Sequence, residues 1–154
     1  QEGELRPQLL DRFGLSVEVR TPRDIDTRVE IMRRCARQEA DPDGFAGEWS
    51  DEEHKVLRRV DRGRKRLAKV GVPDAMLTKA AELCMAVGAD GLRGELTVMR
   101  AGKALAALEG AKALAEKHLI AVAPSALRHR LRRDVLDETG STVRIERAIG
   151  EVFA

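Results

Sequence analysis

Tyrosine is absent from this 154-residue chain, and the other aromatics come to three Phe and one Trp. A core must therefore be aliphatic, and there is no row of rings on which bases could stack. The two cysteines, Cys35 and Cys84, show neither a disulfide framework nor a zinc-ligand spacing, which points to a reducing compartment. The three histidines, His54, His118 and His129, are scattered and form no metal-ligand pattern. No apolar run approaches the roughly 18 residues a membrane span needs, and no signal peptide opens the chain. Net charge is nearly absent too: 28 Lys+Arg face 26 Asp+Glu, leaving +2, a poor basis for binding nucleic acid. Gly-x-Ser-x-Gly, His-Glu-x-x-His and the Gly-x-x-x-x-Gly-Lys-Ser/Thr phosphate loop are all missing. No complete active site can be assembled from what is here. The chain opens Gln-Glu-Gly and enters a dense motif at once, as a piece of a longer protein would.

What remains is rich in Ala, Leu, Val, Arg and Glu, with 43% hydrophobic residues. That favours helix and is too apolar for a disordered tail. Arg6-Pro7, the Leu9-Leu10 pair and Gly14 predict a short helix with Pro near its start and Gly at its stop. Leu15, Val17 and Val19 alternate with polar residues, the pattern of a strand over 15–19. Beyond Thr21 the periodicity is helical. Ile25, Val29, Met32 and Cys35 share a face until Asp41-Pro42-Asp43-Gly44 breaks it. Ser50 with Glu53 reads as a capping box for a helix to Leu67. A third helix runs from Pro73 to Gly88, with Met76, Leu77, Ala80, Leu83, Cys84 and Val87 inward. The fourth runs from Glu95 to Glu109, with Leu96, Met99, Leu105 and Leu108 inward; the fifth spans 115–132, with a kink or break at Pro124; the last runs from Ser141 to about Phe153.

Charge is segregated. Residues 39–53 hold seven acids, residues 55–69 hold eight bases and one acid, and 128–133 hold four Arg with His129. Each block reads as a solvated helix face or as a surface complementary to another subunit. Two arginines stand apart. Arg12 lies between an apolar pair and a helix stop, a setting that fixes a guanidinium at a defined surface place, with Asp11 beside it as a hydrogen-bonding partner. Arg93, in Gly91-Leu92-Arg93-Gly94-Glu95, sits at a helix N-terminus, where anions are favoured. An ordinary salt bridge is the alternative for each, to Asp90 or Glu95 in the case of Arg93.

Three stretches carry a resemblance. Residues 2–14, Glu-Gly-Glu-Leu-Arg-Pro-Gln-Leu-Leu-Asp-Arg-Phe-Gly, resemble a segment of the I subunit of magnesium chelatase, an ATPase of the AAA+ superfamily. Gly91-Leu92-Arg93-Gly94-Glu95-Leu96-Thr97, with Arg100-Ala101 and residues 104–110, is similar to its sensor-2 helix. His129-Arg130-Leu131-Arg132-Arg133-Asp134, Leu136-Asp137-Glu138 and Gly140-Ser141-Thr142 resemble its C-terminal end. Chelatase-type and MoxR-like ATPases share such strings, so another member of that class, such as a cobalt chelatase component, is the runner-up. A basic helical module binding nucleic acid through residues 55–69 is the distant alternative.

The resemblance implies a mainly α chain. Residues 1–23 would end an AAA+ α/β core, with one strand and an arginine-finger helix, and residues 24–154 would form the helical lid. It implies that Arg12 is an arginine finger acting on the ATP of a neighbouring subunit, with Asp11 beside it, and that Arg93 is the sensor-2 arginine contacting the nucleotide of its own subunit. ATP and Mg²⁺ would be held mainly by residues preceding Gln1, so the chain by itself is expected to be inactive. The implied partners are further copies in a homo-oligomeric ring and the D and H subunits of magnesium chelatase. Nucleic acid and a membrane span are not expected, and the bacterial cytoplasm or plastid stroma is the expected location.

Overall fold

The computed structural model describes residues 9, 12–89, 91–131 and 140–154. Its described elements are α1 (Ile25–Ala40), α2 (Pro42–Leu67), α3 (Asp74–Val87), α4 (Arg93–Glu109), α5 (Glu116–Leu127), a 3-10 turn (Arg128–Arg130) and α6 (Ser141–Val152). The chain divides into two units, Glu18–Asp61 and a second that joins Gln1–Val17 to Arg62–Ala154.

The second unit holds the core. Leu83, Leu119, Leu127, Ile145, Val87 and Val98 are sealed from solvent, drawn from α3, α4, α5 and α6. Pro73 precedes α3 with an extended backbone and Gly88 ends it at φ 70°, a left-handed cap that a Cβ would strain. The α3 and α6 helices cap one another. Arg144 Nη2 donates to the Val87 carbonyl at 3.1 Å, and Lys79 Nζ donates to the Val152 carbonyl at 2.5 Å. Helix α4 buries Gly94, Val98, Gly102, Ala106 and Ala107. A Cβ on Gly102 would stand 2.9 Å from Leu114 Cδ1 and 3.2 Å from Leu119 Cδ2, so small residues let α5 come close. Gly63, in the last turns of α2, makes the same use of smallness: a Cβ there would be 3.2 Å from Leu108 Cα.

Helix α5 has no side-chain acceptor at its N-cap, Ala115. The buried His118 replaces it from the other direction: the Ala115 N–H donates to His118 Nδ1 at 3.0 Å, the returning half of a capping box. Its Nε2 lies 3.3 Å from Glu109 Oε2, close enough for attraction but not aligned as a hydrogen bond. A hydrogen bond from Lys117, with His118 adding to it, holds the Glu109 carboxyl below its usual range.

The unit of residues 18–61 is built differently. Asp24 caps α1, its carboxylate accepting from the Thr27 N–H at 2.8 Å and the Thr27 hydroxyl at 2.6 Å. Asp41 closes α1 through its N–H to the Arg37 carbonyl and opens α2 by accepting from the Gly44 N–H, both at 3.0 Å. Arg34 stacks 4.8 Å from the Trp49 ring centre and Arg37 5.7 Å from that of Phe45. Glu30–Arg34 and Arg37–Glu48 pair across exposed faces. No residue of α1 is buried.

Several expectations change. Residues 15–19 form no strand among the described residues; Leu15, Val17 and Val19 are exposed, because an alternating segment without a partner strand has no ladder to join. The break at Asp41-Pro42 is a single cap, and α2 runs through Ser50 without interruption: Pro42 occupies the first helical position, where its missing N–H costs nothing. Leu77 on α3 and Leu96 on α4 are 45% and 44% exposed; α3 turns Ala80, Leu83, Cys84 and Val87 inward instead, and α4 its glycines and alanines with Val98. Helix α5 accommodates Pro124 and ends at Leu127, followed by a 3-10 turn in place of further α-helix.

Candidate functional site

Arg12 is exposed in a turn whose N–H donates to the Leu9 carbonyl at 3.0 Å. The turn is held to the end of α5. The carbonyl of Phe13, next in chain, accepts from His129 Nε2 at 2.9 Å and from Arg130 Nη2 at 2.7 Å. The Ser16 N–H donates to the Ser125 carbonyl at 2.8 Å. Arg130 also donates from Nε to the Ala126 carbonyl at 3.1 Å, so one guanidinium bridges the last turn of α5 and the backbone beside Arg12. The final carbonyls of a helix have no partner within it; here two of them are taken by residues bound to the Arg12 turn. Asp11 lies outside the described residues.

Arg93 is the first residue of α4 and is exposed. Its carbonyl accepts from the Thr97 hydroxyl at 2.7 Å. Leu92, the N-cap, offers no side-chain acceptor, so the first N–H groups of α4 are not satisfied by a capping side chain. Behind Arg93, Gly94 is buried against Ala89, Cys84 and Leu127, each about 3.5 Å from where a Cβ would stand. Asp90, the predicted salt-bridge alternative, is outside the described residues. Glu95 is half-buried, and its Oε2 finds no hydrogen-bond partner. The two arginines thus lean on one short stretch, 125–130: Arg12 through the backbone at Phe13 and Ser16, Arg93 through Gly94 against Leu127.

Cys84 lies beneath this stretch. Burial pushes its thiol up to about 12, the Glu95 carboxylate adds to the rise and Arg130 opposes it; such a thiol is neither nucleophile nor metal ligand at neutral pH. No cluster of three or more His, Cys, Asp or Glu that could hold a metal occurs among the described residues, and none of their helices is long and apolar enough to cross a membrane. The acidic and basic blocks are exposed, and both enter ion pairs within the chain, Arg37–Glu48 and Lys55–Glu52 among them.

Sequence reasoning missed His129 and Arg130 as holders of the Arg12 turn and treated them as part of a charge run. The only signal was a dense cluster of bases after an apolar helix; a contact across 116 residues leaves no local trace.

A family model described as the AAA lid domain matches residues 77–149. The chain is 55% identical over 153 residues to the magnesium-chelatase 38 kDa subunit of Rhodobacter capsulatus, covering 99% of this chain and 44% of that protein. It is 39% identical over 154 residues to a chloroplastic magnesium-chelatase subunit of Arabidopsis thaliana, covering all of this chain and 36% of that protein. The chain therefore spans less than half the length of either relative. Among solved structures, a candidate ATPase from Cytophaga hutchinsonii superposes with a TM-score of 0.71 at 18% identity, over 97% of this chain and 49% of that one, a likeness of fold.

Proposed function

We propose that the chain belongs to the magnesium-chelatase ATPase-subunit family of AAA+ proteins, on its likeness to those subunits and to the AAA lid domain, and that it supplies two phosphate-facing arginines to a ring-forming motor. The motor couples ATP hydrolysis to insertion of Mg²⁺ into protoporphyrin IX, working with the D and H subunits in a bacterial cytoplasm or plastid stroma. Arg12 acts as an arginine finger on the ATP of the next subunit, with Asp11 beside it. Arg93 acts as the sensor-2 arginine on the nucleotide of its own subunit. The boundary between the end of the α/β core and the lid, near residue 23, belongs to the same proposal.

The observation that carries this reading is the mounting of Arg12: an exposed guanidinium on a turn whose following carbonyl takes two charged or polar donors. A cation held by its backbone and open at its head suits developing charge on a transferred phosphoryl group. Arg93, exposed at a helix N-terminus without a capping side chain, suits a bound phosphate in the same way. The described residues offer no acidic cluster for Mg²⁺; in this reading its ligands, and the phosphate loop, come from elsewhere in the complete subunit.

The test uses the complete subunit. Arg12→Ala is expected to leave ATP binding nearly intact while lowering turnover by about 10³–10⁵-fold. Arg93→Ala should instead weaken nucleotide binding, by about 1.5–3 kcal/mol for one charge-assisted contact. Mixed with a subunit dead in its phosphate-loop Lys, Arg12→Ala should regain part of its hydrolysis, because some interfaces then join an intact finger to an intact phosphate loop. Unchanged turnover in Arg12→Ala refutes the finger.

A further inference from the structure

We propose that Arg130, assisted by His129, is a positioning residue for Arg12, so that the end of the lid helix α5 sets where the finger of the same subunit points. The inference rests on the finger reading above and adds a residue that acts through it. Phe13 O has two lone pairs, and both are taken, by His129 Nε2 at 2.9 Å and Arg130 Nη2 at 2.7 Å. Two donors on one oxygen fix its direction, and that peptide group, between Phe13 and Gly14, is separated from the one that leaves Arg12 only by the Phe13 Cα. Arg130 is itself anchored by Nε on the Ala126 carbonyl at 3.1 Å. Its planar fork spans the two carbonyls as a flexible ammonium would not. A third tie, Ser16 N–H to the Ser125 carbonyl, prevents the turn from swivelling about Phe13.

The same stretch also supports the N-terminus of α4. Gly94 packs against Leu127, and Arg130 and Glu95 both act electrostatically on Cys84. A shift of α4 on nucleotide binding would therefore press on the residues that hold the Arg12 turn. Coupling of this kind runs from the nucleotide of one subunit to the finger it presents to the next.

The experiment compares Arg130→Gln with Arg12→Ala in the complete, ring-forming subunit. Arg130→Gln is expected to lower kcat at least ten-fold while KM for ATP stays within about two-fold, because the bound substrate is untouched and only the transition state loses its partner. Mixing then separates positioning from a lid defect. If Arg130 acts through Arg12, its damage falls on the neighbour's site, and Arg130→Gln mixed with the phosphate-loop-Lys-dead subunit should recover hydrolysis, as Arg12→Ala does. If Arg130 serves only its own lid, the damage stays in cis and mixing restores nothing. Recovery with Arg12→Ala but none with Arg130→Gln overturns the positioning role alone. No recovery with Arg12→Ala overturns the finger reading, and this proposal with it. Should Arg130→Gln fail to assemble, Arg130→Lys keeps the charge but cannot span both carbonyls; it should show the same kcat loss in milder form and the same recovery, and full activity in it overturns the proposal.

Discussion

The unit of residues 18–61 and the unit that joins 1–17 to 62–154 are both built on helices and both densely charged, yet different forces hold their helices. In the second, Leu83, Leu119, Leu127 and Ile145 are wholly buried, and burial of that kind is worth about 1.5–3 kcal/mol per side chain. In the first, α1 buries nothing; Ile25 and Met32 are 74% and 62% exposed. What α1 has is an Asp cap, arginines over aromatic rings and exposed ion pairs, contacts that lie in solvent and are screened by it. Helical periodicity therefore reports that a helix forms and leaves open what its apolar face covers.

The sharpest way to break this contrast is to truncate equivalent apolar residues in the two units. Leu119→Ala should destabilise the second unit by about 2–5 kcal/mol. Met32→Ala should change the stability of the chain by less than about 0.5 kcal/mol. Denaturant unfolding followed by helical circular dichroism reads both, and a comparable loss for Met32→Ala would show that α1 has a core after all. Next in size is the junction residue of the hairpin. Asp41→Ala removes the acceptor for the Gly44 N–H and should cost about 0.5–2 kcal/mol, visible as faster amide exchange in the first turn of α2 with the protection of α5 unchanged.

The smallest effect is a pH dependence. Asp24 has its carboxyl lowered from 3.8, first by the Thr27 hydroxyl and then by the Thr27 N–H. A carboxyl with a lowered folded pKa adds stability above its unfolded value and loses it as pH falls through the folded one. Below about pH 4 the first turn of α1 should therefore loosen, read as exchange broadening of the Thr27 amide, and Asp24→Asn should remove the pH dependence while keeping most of the cap.

Much of this was legible in the residues. Pro73 and Gly88 bracket α3 as the sequence implies, since both signals act locally. The Asp41-Pro42-Asp43-Gly44 break was legible as punctuation, but its extent was not: Asp-Pro starts a helix as readily as it stops one, and only Asp41 proved to be outside. The inward face of α4 differs because large apolar residues are not the most buried ones there: Gly102 lets Leu114 and Leu119 approach, and Ala106 and Ala107 are buried beside Val70. The strand at residues 15–19 was a sound pattern without a partner among the described residues. Of the site, Arg12 and Arg93 could be singled out from their neighbours in sequence and given roles only by resemblance. The His129–Arg130 hold on Phe13 is a tertiary contact between segments at opposite ends of the chain, and no local pattern encodes it.

That contact also sets an order of events during synthesis. The ribosome releases the Arg12 turn first, and its seat on His129 and Arg130 emerges 116 and 117 residues later. At about 5–20 residues per second the wait is roughly 6–25 s. Through that interval the Phe13 carbonyl and the Ser16 N–H have no partner at the α5 terminus, and only the appearance of residues 125–130 fixes the turn in place. A nascent chain that has emerged only as far as residue 124 would carry the Arg12 turn unseated; one whose residue 130 has cleared the exit tunnel would have every partner of that turn available.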